Sequence, residues 1–363
     1  MFPIIEHPNT YLSPSLTDRI KLYAADAEKL GELHPEQLKI IYDQKWFHLF
    51  VPKAYGGLEL GLPEALHIEE SLAGADGSMG WTITLCAGAN WFIGFLQAYI
   101  AKEIFQDEKA CIAGSGKPSG VAKVVDHGYE ITGFWKYATG APQATVFTAN
   151  CMIEENGSLL GNDNGEPLIR SFWFKKDEVI VHKDWNCTGM IATASHSFEV
   201  KKLYVPGERS FTIDSEQSVL HHPIYKFPFL QFAETTLTVN ISGMAIRFLE
   251  LCQPIIERRK KDLSTPGNTI TDHLEGTAKK LNEARKCFYV LVEKSWNALL
   301  LKGNINDDLL KELSAASKAL SKIAREAVDD LYPFCGMEAA QADTEINRVW
   351  RNIHTASQHS LTL

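Results

Sequence analysis

Three runs decide how this chain reads: Ala113-Gly114-Ser115-Gly116-Lys117-Pro118-Ser119-Gly120, Gly133-Phe134-Trp135-Lys136-Tyr137-Ala138-Thr139-Gly140 and Trp185-Asn186-Cys187-Thr188-Gly189-Met190. They join hydroxyls to flexible glycine backbone, and the last two add large aromatics. That combination suits a flat ligand with polar edges and apolar faces, such as an isoalloxazine ring. The block that contains them, residues 111–211, reads as β structure. Residues 121–125, the turn Asp126-His127-Gly128 and residues 129–135 carry the β-branched and aromatic pattern of a hairpin. Further strands are expected at 145–152, 169–174, 179–182 and 197–205, closing at Pro206. Short strands at close spacing predict a small barrel or sandwich.

On both sides the period changes to that of helices. Leu16, Ile20, Tyr23, Ala27 and Leu30 recur at helical spacing, and His34-Pro35-Glu36 restarts a helix with proline where no N–H is needed. Val51-Pro52-Lys53-Ala54-Tyr55-Gly56-Gly57 is a turn-rich break, residues 63–73 are helical, and Asp76-Gly77-Ser78 caps the next helix. After Pro228, Leu313, Ala316, Leu320, Ile323, Ala327 and Leu331 mark one apolar helix face, and Leu281, Ala284, Phe288 and Leu291 another. Segments 232–253 and 339–359 complete a four-helix bundle. The expected class is α+β: an N-terminal helical domain over 1–109, a middle β-domain over 110–212 and a C-terminal four-helix bundle over 213–363.

The 363 residues are 45% hydrophobic and 22% charged, ordinary for a soluble globular protein and enough for two or three domains. A net charge of −9 argues against a nucleic-acid partner, which calls for clustered Lys and Arg. The one basic run, Arg258-Arg259-Lys260-Lys261, sits between Glu257 and Asp262 and reads as a solvated helix end. Seven scattered cysteines with no CxxC pair point to a reducing compartment, without a zinc site or disulfide framework. Residues 1–7 lack the regions of a signal peptide. The apolar stretch 81–100 is interrupted by Thr82, Thr84, Asn90 and Gln97, so a buried helix pair is expected there and not a membrane span. A cytoplasmic protein is expected.

With helices, then a β-domain, then a helix bundle in this order, the chain resembles the acyl-CoA dehydrogenase superfamily. Val51-Pro52-Lys53-Ala54-Tyr55-Gly56-Gly57-Leu58 resembles its VPxxYGGL turn, residues 185–195 its GMRGTxS strand entry, and Val205-Pro206 its terminating VP. Finer features are similar to the flavin-dependent, two-component monooxygenases built on this fold. Asp76-Gly77-Ser78-Met79-Gly80-Trp81 resembles their DGSxGW run, residues 114–122 their GSxxPxGxA loop, and residues 135–140 their WxFASG strand. Residues 348–359 resemble their terminal RxWRDxxTxxxH helix. The Glu-bearing IYEGT-like tail and the RxxFG signature of the dehydrogenases have no counterpart, and residues 354–360 contain no carboxylate.

The resemblance implies reduced FMN or FAD, delivered by a separate NAD(P)H flavin reductase, meeting O₂ to form a C4a-(hydro)peroxyflavin that oxidises a small organic substrate. It implies a homotetramer associating through the C-terminal bundle. By resemblance Thr139 is the hydroxyl nearest flavin N5, Ser115 serves the pyrimidine edge, and Trp135, Tyr137 and Trp185 form an apolar wall. His359 matches the family's terminal His and is the first choice for acid/base work. His354, five residues earlier, does not share its helix face. Asn90 stands where several relatives carry a site His, and Arg348 and Arg351 are assigned to a flavin phosphate or a partner carboxylate. The rival reading is an acyl-CoA dehydrogenase whose base is relocated to Glu234. A catalytically degenerate flavin-binding homologue is the second alternative.

Overall fold

The computed structural model describes residues 11–262 and 267–363; the signal-peptide reading of residues 1–7 lies outside them. The first block is helical: α1 (Pro14–Leu30), α2 (Pro35–Asp43), α3 (Leu62–Ala75), α4 (Gly77–Asn90) and α5 (Ala98–Phe105). Their ends follow the local chemistry. The Ser13 hydroxyl accepts from the Leu16 N–H to start α1, and Gly31, at φ +74°, closes it in the left-handed conformation that glycine adopts without strain. Asp76 accepts the Ser78 N–H at 3.1 Å and opens α4, as its position in the sequence predicts. No helix among the described residues is long and apolar enough to cross a membrane.

Eight strands follow: β1 (Ile112–Val125), β2 (Gly128–Ala138), β3 (Val146–Glu155), β4 (Ser158–Leu159), β5 (Ile169–Lys175), β6 (Ile180–His182), β7 (His196–Pro206) and β8 (Ser210–Phe211). They form one sheet in the order β6-β7-β2-β1-β3-β5-β8, with β4 beside β3. The pair β1–β3 is parallel, and the other pairs are antiparallel. The glycine-rich run expected as a loop is part of β1, whose register on β3 shifts between Ser115 and Gly120. The sheet is not closed by hydrogen bonds, but it curls. Phe147 on β3 and Phe198 on β7 stand three places apart in the order, yet their rings lie 5.0 Å apart.

Trp135 is the centre of that curl. It is fully buried, stacks on Phe198 at 5.1 Å and donates its Nε1–H to the Asn150 carbonyl at 3.0 Å. A Cβ on Gly120 or Gly133 would overlap its six-membered ring. The two glycines therefore make room for an indole that fills the sheet's own core. This corrects the expectation that Trp135 faces a ligand.

The last block holds α6 (Phe229–Asp262), α7 (Gly267–Lys302), α8 (Asp307–Ala340) and α9 (Glu345–Ala356). The fourth helix is shorter than expected, because α8 runs on to Ala340 through a kink at Gly336, φ +60°. Arg259 stabilises the kink by donating to the Phe334 carbonyl at 2.7 Å. Of the basic run, Arg258 pairs with Glu338 at 2.6 Å, and the side chains of Lys260 and Lys261 lie outside the described residues.

The helices before and after the sheet share one hydrophobic core, separate from that of the sheet. α3 and α6 cross at small residues, since a Cβ on Gly243 would overlap the Glu70 carbonyl. The same crossing buries two acids. Glu70 accepts from Arg285 at 2.7 and 2.8 Å, Ser242 at 2.6 Å and Tyr289 at 2.9 Å, so its charge is fully met. Neighbouring Glu69 has no hydrogen-bond partner for either carboxyl oxygen among the described residues. Burial pushes its carboxyl well above the usual range, and it is held protonated.

Two outcomes follow from this packing. Trp135→Ala costs about 3–5 kcal/mol in urea unfolding while leaving cofactor affinity of the folded fraction intact; a loss of affinity without loss of stability contradicts the assignment. Folded Glu69 keeps a proton that the unfolded chain releases near pH 4.5, so stability falls as pH rises above that value. Glu69→Gln therefore stabilises the protein at pH 8 more than at pH 5, read by urea midpoints at both; equal midpoint shifts contradict it.

Candidate active site

A cavity of about 240 Å³ opens where the sheet meets α4, α6 and the tail after α9. The sheet side supplies Ser115 and the backbone of Gly114 and Gly116 from β1, and Thr139 from the end of β2. The helix side supplies Phe92, Phe229, Phe232 and Leu237, and the tail supplies His359 and Leu361. Among the described residues that line it, His359 is the one titratable side chain.

Thr139 stands at the end of a hydroxyl chain. Its Oγ1 lies 2.8 Å from Ser195 Oγ, which lies 2.7 Å from Thr193 Oγ1, which donates to the Met190 carbonyl at 2.8 Å. All three hydroxyl residues are buried. The backbone around them is strained: Tyr137 has φ +69°, Met190 +55° and Ala194 +44°, left-handed values that a side chain makes costly. The register between β2 and β7 slips between Trp135 and Ala138, and this bulge turns Thr139 into the cavity.

The Met190 turn is held from the tail. Its N–H donates to Asn352 Oδ1 at 2.6 Å, and Arg351 Nη1 donates to the Thr188 carbonyl at 2.8 Å. Gly189 is required there, because a Cβ would overlap the Arg351 carbonyl. Three residues beyond α9, His359 is half-buried with Trp81 edge-on at 6.1 Å. Its Nδ1 accepts the Leu361 N–H at 3.3 Å, so a neutral ring carries its hydrogen on Nε2. Burial lowers its pKa below the ordinary 6.5, so the ring is neutral at pH 7. In this tautomer His359 presents Nε2–H as a hydrogen-bond donor.

Other expected residues stand elsewhere. Asn90 is fully buried and spent on backbone. It donates to the Phe47 and Ala110 carbonyls at 2.9 and 3.3 Å and accepts the Ile112 N–H at 2.9 Å, stapling α4 to β1. It does not line the cavity. Arg351 pairs with Glu28 of its own chain and with Asn347 at 2.7 Å, which leaves it committed to α1 and α9 and not to a phosphate. Arg348, half-buried one turn away, acts on the buried Asp76 carboxyl. His354 sits between the Trp350 carbonyl at 2.7 Å and Asp329 at 2.8 Å, facing α8. Glu234 accepts from Ser314 of α8 and points into the bundle, while its neighbours Ala233 and Thr236 line the cavity. Tyr137 and Trp185 form an edge-on pair at 6.1 Å beside Thr139 but outside the cavity.

Sequence reasoning missed Ser195 and Thr193 as partners of Thr139, and the phenylalanine wall. Both hydroxyls lie in a stretch already singled out, but only the turn at Met190 folds them back onto β2.

These residues fit an isoalloxazine. The open glycine backbone and the Ser115 and Thr139 hydroxyls would serve its polar edge, and the apolar lining its faces. Comparison with known proteins agrees. Residues 15–96 match the acyl-CoA dehydrogenase N-terminal domain family and residues 238–363 the acyl-CoA dehydrogenase C-terminal domain family, together more than half of the chain. A pigment production hydroxylase of a Rhodococcus species is 26% identical over 94% of this chain and 90% of its own. The flavin-dependent monooxygenase oxygenase subunit HsaA of Mycobacterium tuberculosis is 24% identical over 96% of this chain and 89% of its own. The crystal structure of the HsaA monooxygenase superposes with a TM-score of 0.89, at 22% identity over 98% of this chain and 96% of that one. XiaF from a Streptomyces species, solved in complex with FADH2 and glycerol, superposes with a TM-score of 0.84 at 19% identity, over 96% of this chain and 89% of that one. The chain belongs to the acyl-CoA dehydrogenase superfamily, and its relatives there are flavin-dependent monooxygenases.

Proposed function

We propose that this chain is the oxygenase component of a two-component flavin monooxygenase. In this reading it takes reduced FMN or FAD from a separate NAD(P)H flavin reductase and oxidises a small, uncharged aromatic compound. The observation that supports it most is the cavity lining, which combines hydroxyls, open backbone and aromatic rings with one neutral histidine. Removal of an acyl α-proton needs a base such as a carboxylate, and among the described residues none lines the cavity; Glu234 is tied to Ser314. Phe92, Phe229 and Phe232 offer ring faces to an aromatic substrate, whereas a charged one would enter without a counter-ion.

When bound, reduced flavin supplies the electrons that activate O₂, so that one oxygen atom goes to the substrate and the other leaves as water. The chain's own residues do the rest. Ser115 and Thr139 orient the ring through its polar edge, and the apolar wall keeps bulk water away from the reacting oxygen. His359 offers Nε2–H as a donor to an oxygen atom in the cavity. The division at 109/110 and 212/213, a cytoplasmic setting and a homotetramer belong to the same reading. Exposed Val290, Leu300 and Leu301 on α7 support the self-association.

Labelled oxygen tests the assignment. With a flavin reductase, NADH and ¹⁸O₂, neutral phenols or indoles gain one ¹⁸O, and charged analogues gain none. Absence of label from every neutral aromatic, or bleaching of bound flavin by an acyl-CoA, contradicts the reading. In the same assay His359→Ala lowers product yield by roughly 10²–10⁴-fold, while His359→Gln, which keeps a donor, loses less. Both the neutral ring and the imidazolium carry Nε2–H, so the donor role predicts a wild-type yield that stays flat from pH 8 through the acid titration of His359, which burial places below 6.5. A yield that falls as the ring takes up its proton marks a base and contradicts the donor role.

A further inference from the structure

We infer that Ser195 and Thr193 are positioning residues that fix the Thr139 hydroxyl as a hydrogen-bond acceptor toward the cavity, so that the site prefers a flavin whose N5 carries hydrogen. The inference rests on the flavin reading above and concerns which redox form is held.

The direction of the hydroxyl chain follows from counting hydrogens. A hydroxyl has one hydrogen to give, and a carbonyl has none. Thr193 donates to the Met190 carbonyl at 2.8 Å, so its hydrogen is committed. At 2.7 Å from Ser195 it must therefore accept, which commits the hydrogen of Ser195. At 2.8 Å from Thr139, Ser195 must accept in turn, which commits the hydrogen of Thr139. Only lone pairs of Thr139 remain for the cavity. With the Thr193 hydroxyl donating to the Met190 carbonyl, the chain runs in this one direction.

That terminus is fixed from several directions. Trp185 Nε1–H and the Thr193 N–H also donate to the Met190 carbonyl, at 2.9 and 3.1 Å, and the Met190 N–H is held by Asn352 at 2.6 Å. Thr139, Ser195 and Thr193 are 6%, 5% and 1% exposed, so bulk water does not compete for these hydrogens. Reduced flavin has an N5–H that donates to such an acceptor. Oxidised flavin has a bare N5, and two acceptors would face each other. A component that receives its cofactor reduced gains from this polarity twice, in capturing the reduced form and in releasing the oxidised one.

The test is the ratio of dissociation constants for oxidised and photoreduced flavin, measured under nitrogen with both FMN and FAD. Wild-type protein is compared with Ser195→Ala, Thr193→Val and Thr193→Ser. Wild type binds the reduced form about tenfold more tightly or better. Ser195→Ala and Thr193→Val each lower the ratio several-fold, because the Thr139 hydrogen becomes free to turn toward the cavity. Thr193→Ser keeps the ratio. The same change appears as a drop in the potential of bound flavin, about 30 mV for each tenfold. Circular dichroism confirms folding; should Ser195→Ala not fold, Thr193→Val reads the same chain one link further on. Equal weakening of both redox forms, with the ratio unchanged, overturns the inference and leaves these hydroxyls a structural role. Equal binding of both forms by wild type overturns it and leaves the flavin reading standing. Binding of neither form overturns both.

Discussion

The docking of α9 onto the turn at residues 188–190 is the contact on which both walls of the cavity depend. It joins a close backbone approach to a side-chain amide: Gly189 lies against the Arg351 carbonyl, and the Met190 N–H donates to Asn352 Oδ1. On one side this contact sets the Met190 carbonyl, and through Thr193 and Ser195 it sets the orientation of Thr139. On the other side it sets where α9 ends, and so where His359 enters the cavity. A donor on the tail and an acceptor on the sheet thus share one mechanical origin.

The buried acids under α3 show a second constraint of the same kind. Glu70 is charged and fully met by Arg285, Ser242 and Tyr289, and it ties the first helical block to α6 and α7. Glu69, the residue before it, is held neutral by burial. The difference lies in the neighbours each side chain finds across the crossing. Because the helices before and after the sheet share one core, the sheet is inserted into a helical body, and the cavity lies at the seam between the two cores.

Much of the fold was legible in the residues. Strand edges at Val125, Gly128 and Pro206, the Asp76 cap and the periodic faces of α7 and α8 follow from short-range rules that burial reinforces. The site was legible in part. Ser115, Thr139 and His359 do meet in one cavity, although 244 residues separate Ser115 from His359 in the sequence numbering. What failed were inferences that needed direction. Trp135 lies among glycines as a ligand wall would, but Gly120 and Gly133 are small to admit its ring. Asn90 occupies a position where a catalytic side chain was expected, yet three backbone groups consume its amide. Adjacent Glu69 and Glu70 look like an ordinary charged helix face until α6 covers them. No local pattern tells which way a side chain turns once a distant segment packs against it.

The proposed reaction requires the cavity to hold reduced flavin away from water while oxygen reacts. Stopped-flow mixing of the anaerobic complex with O₂-saturated buffer measures this directly through the flavin absorbance. Reoxidation in two resolved phases, the second much slower than that of free reduced flavin and faster in Thr139→Val, is the predicted result. A single phase at the free-flavin rate would contradict it.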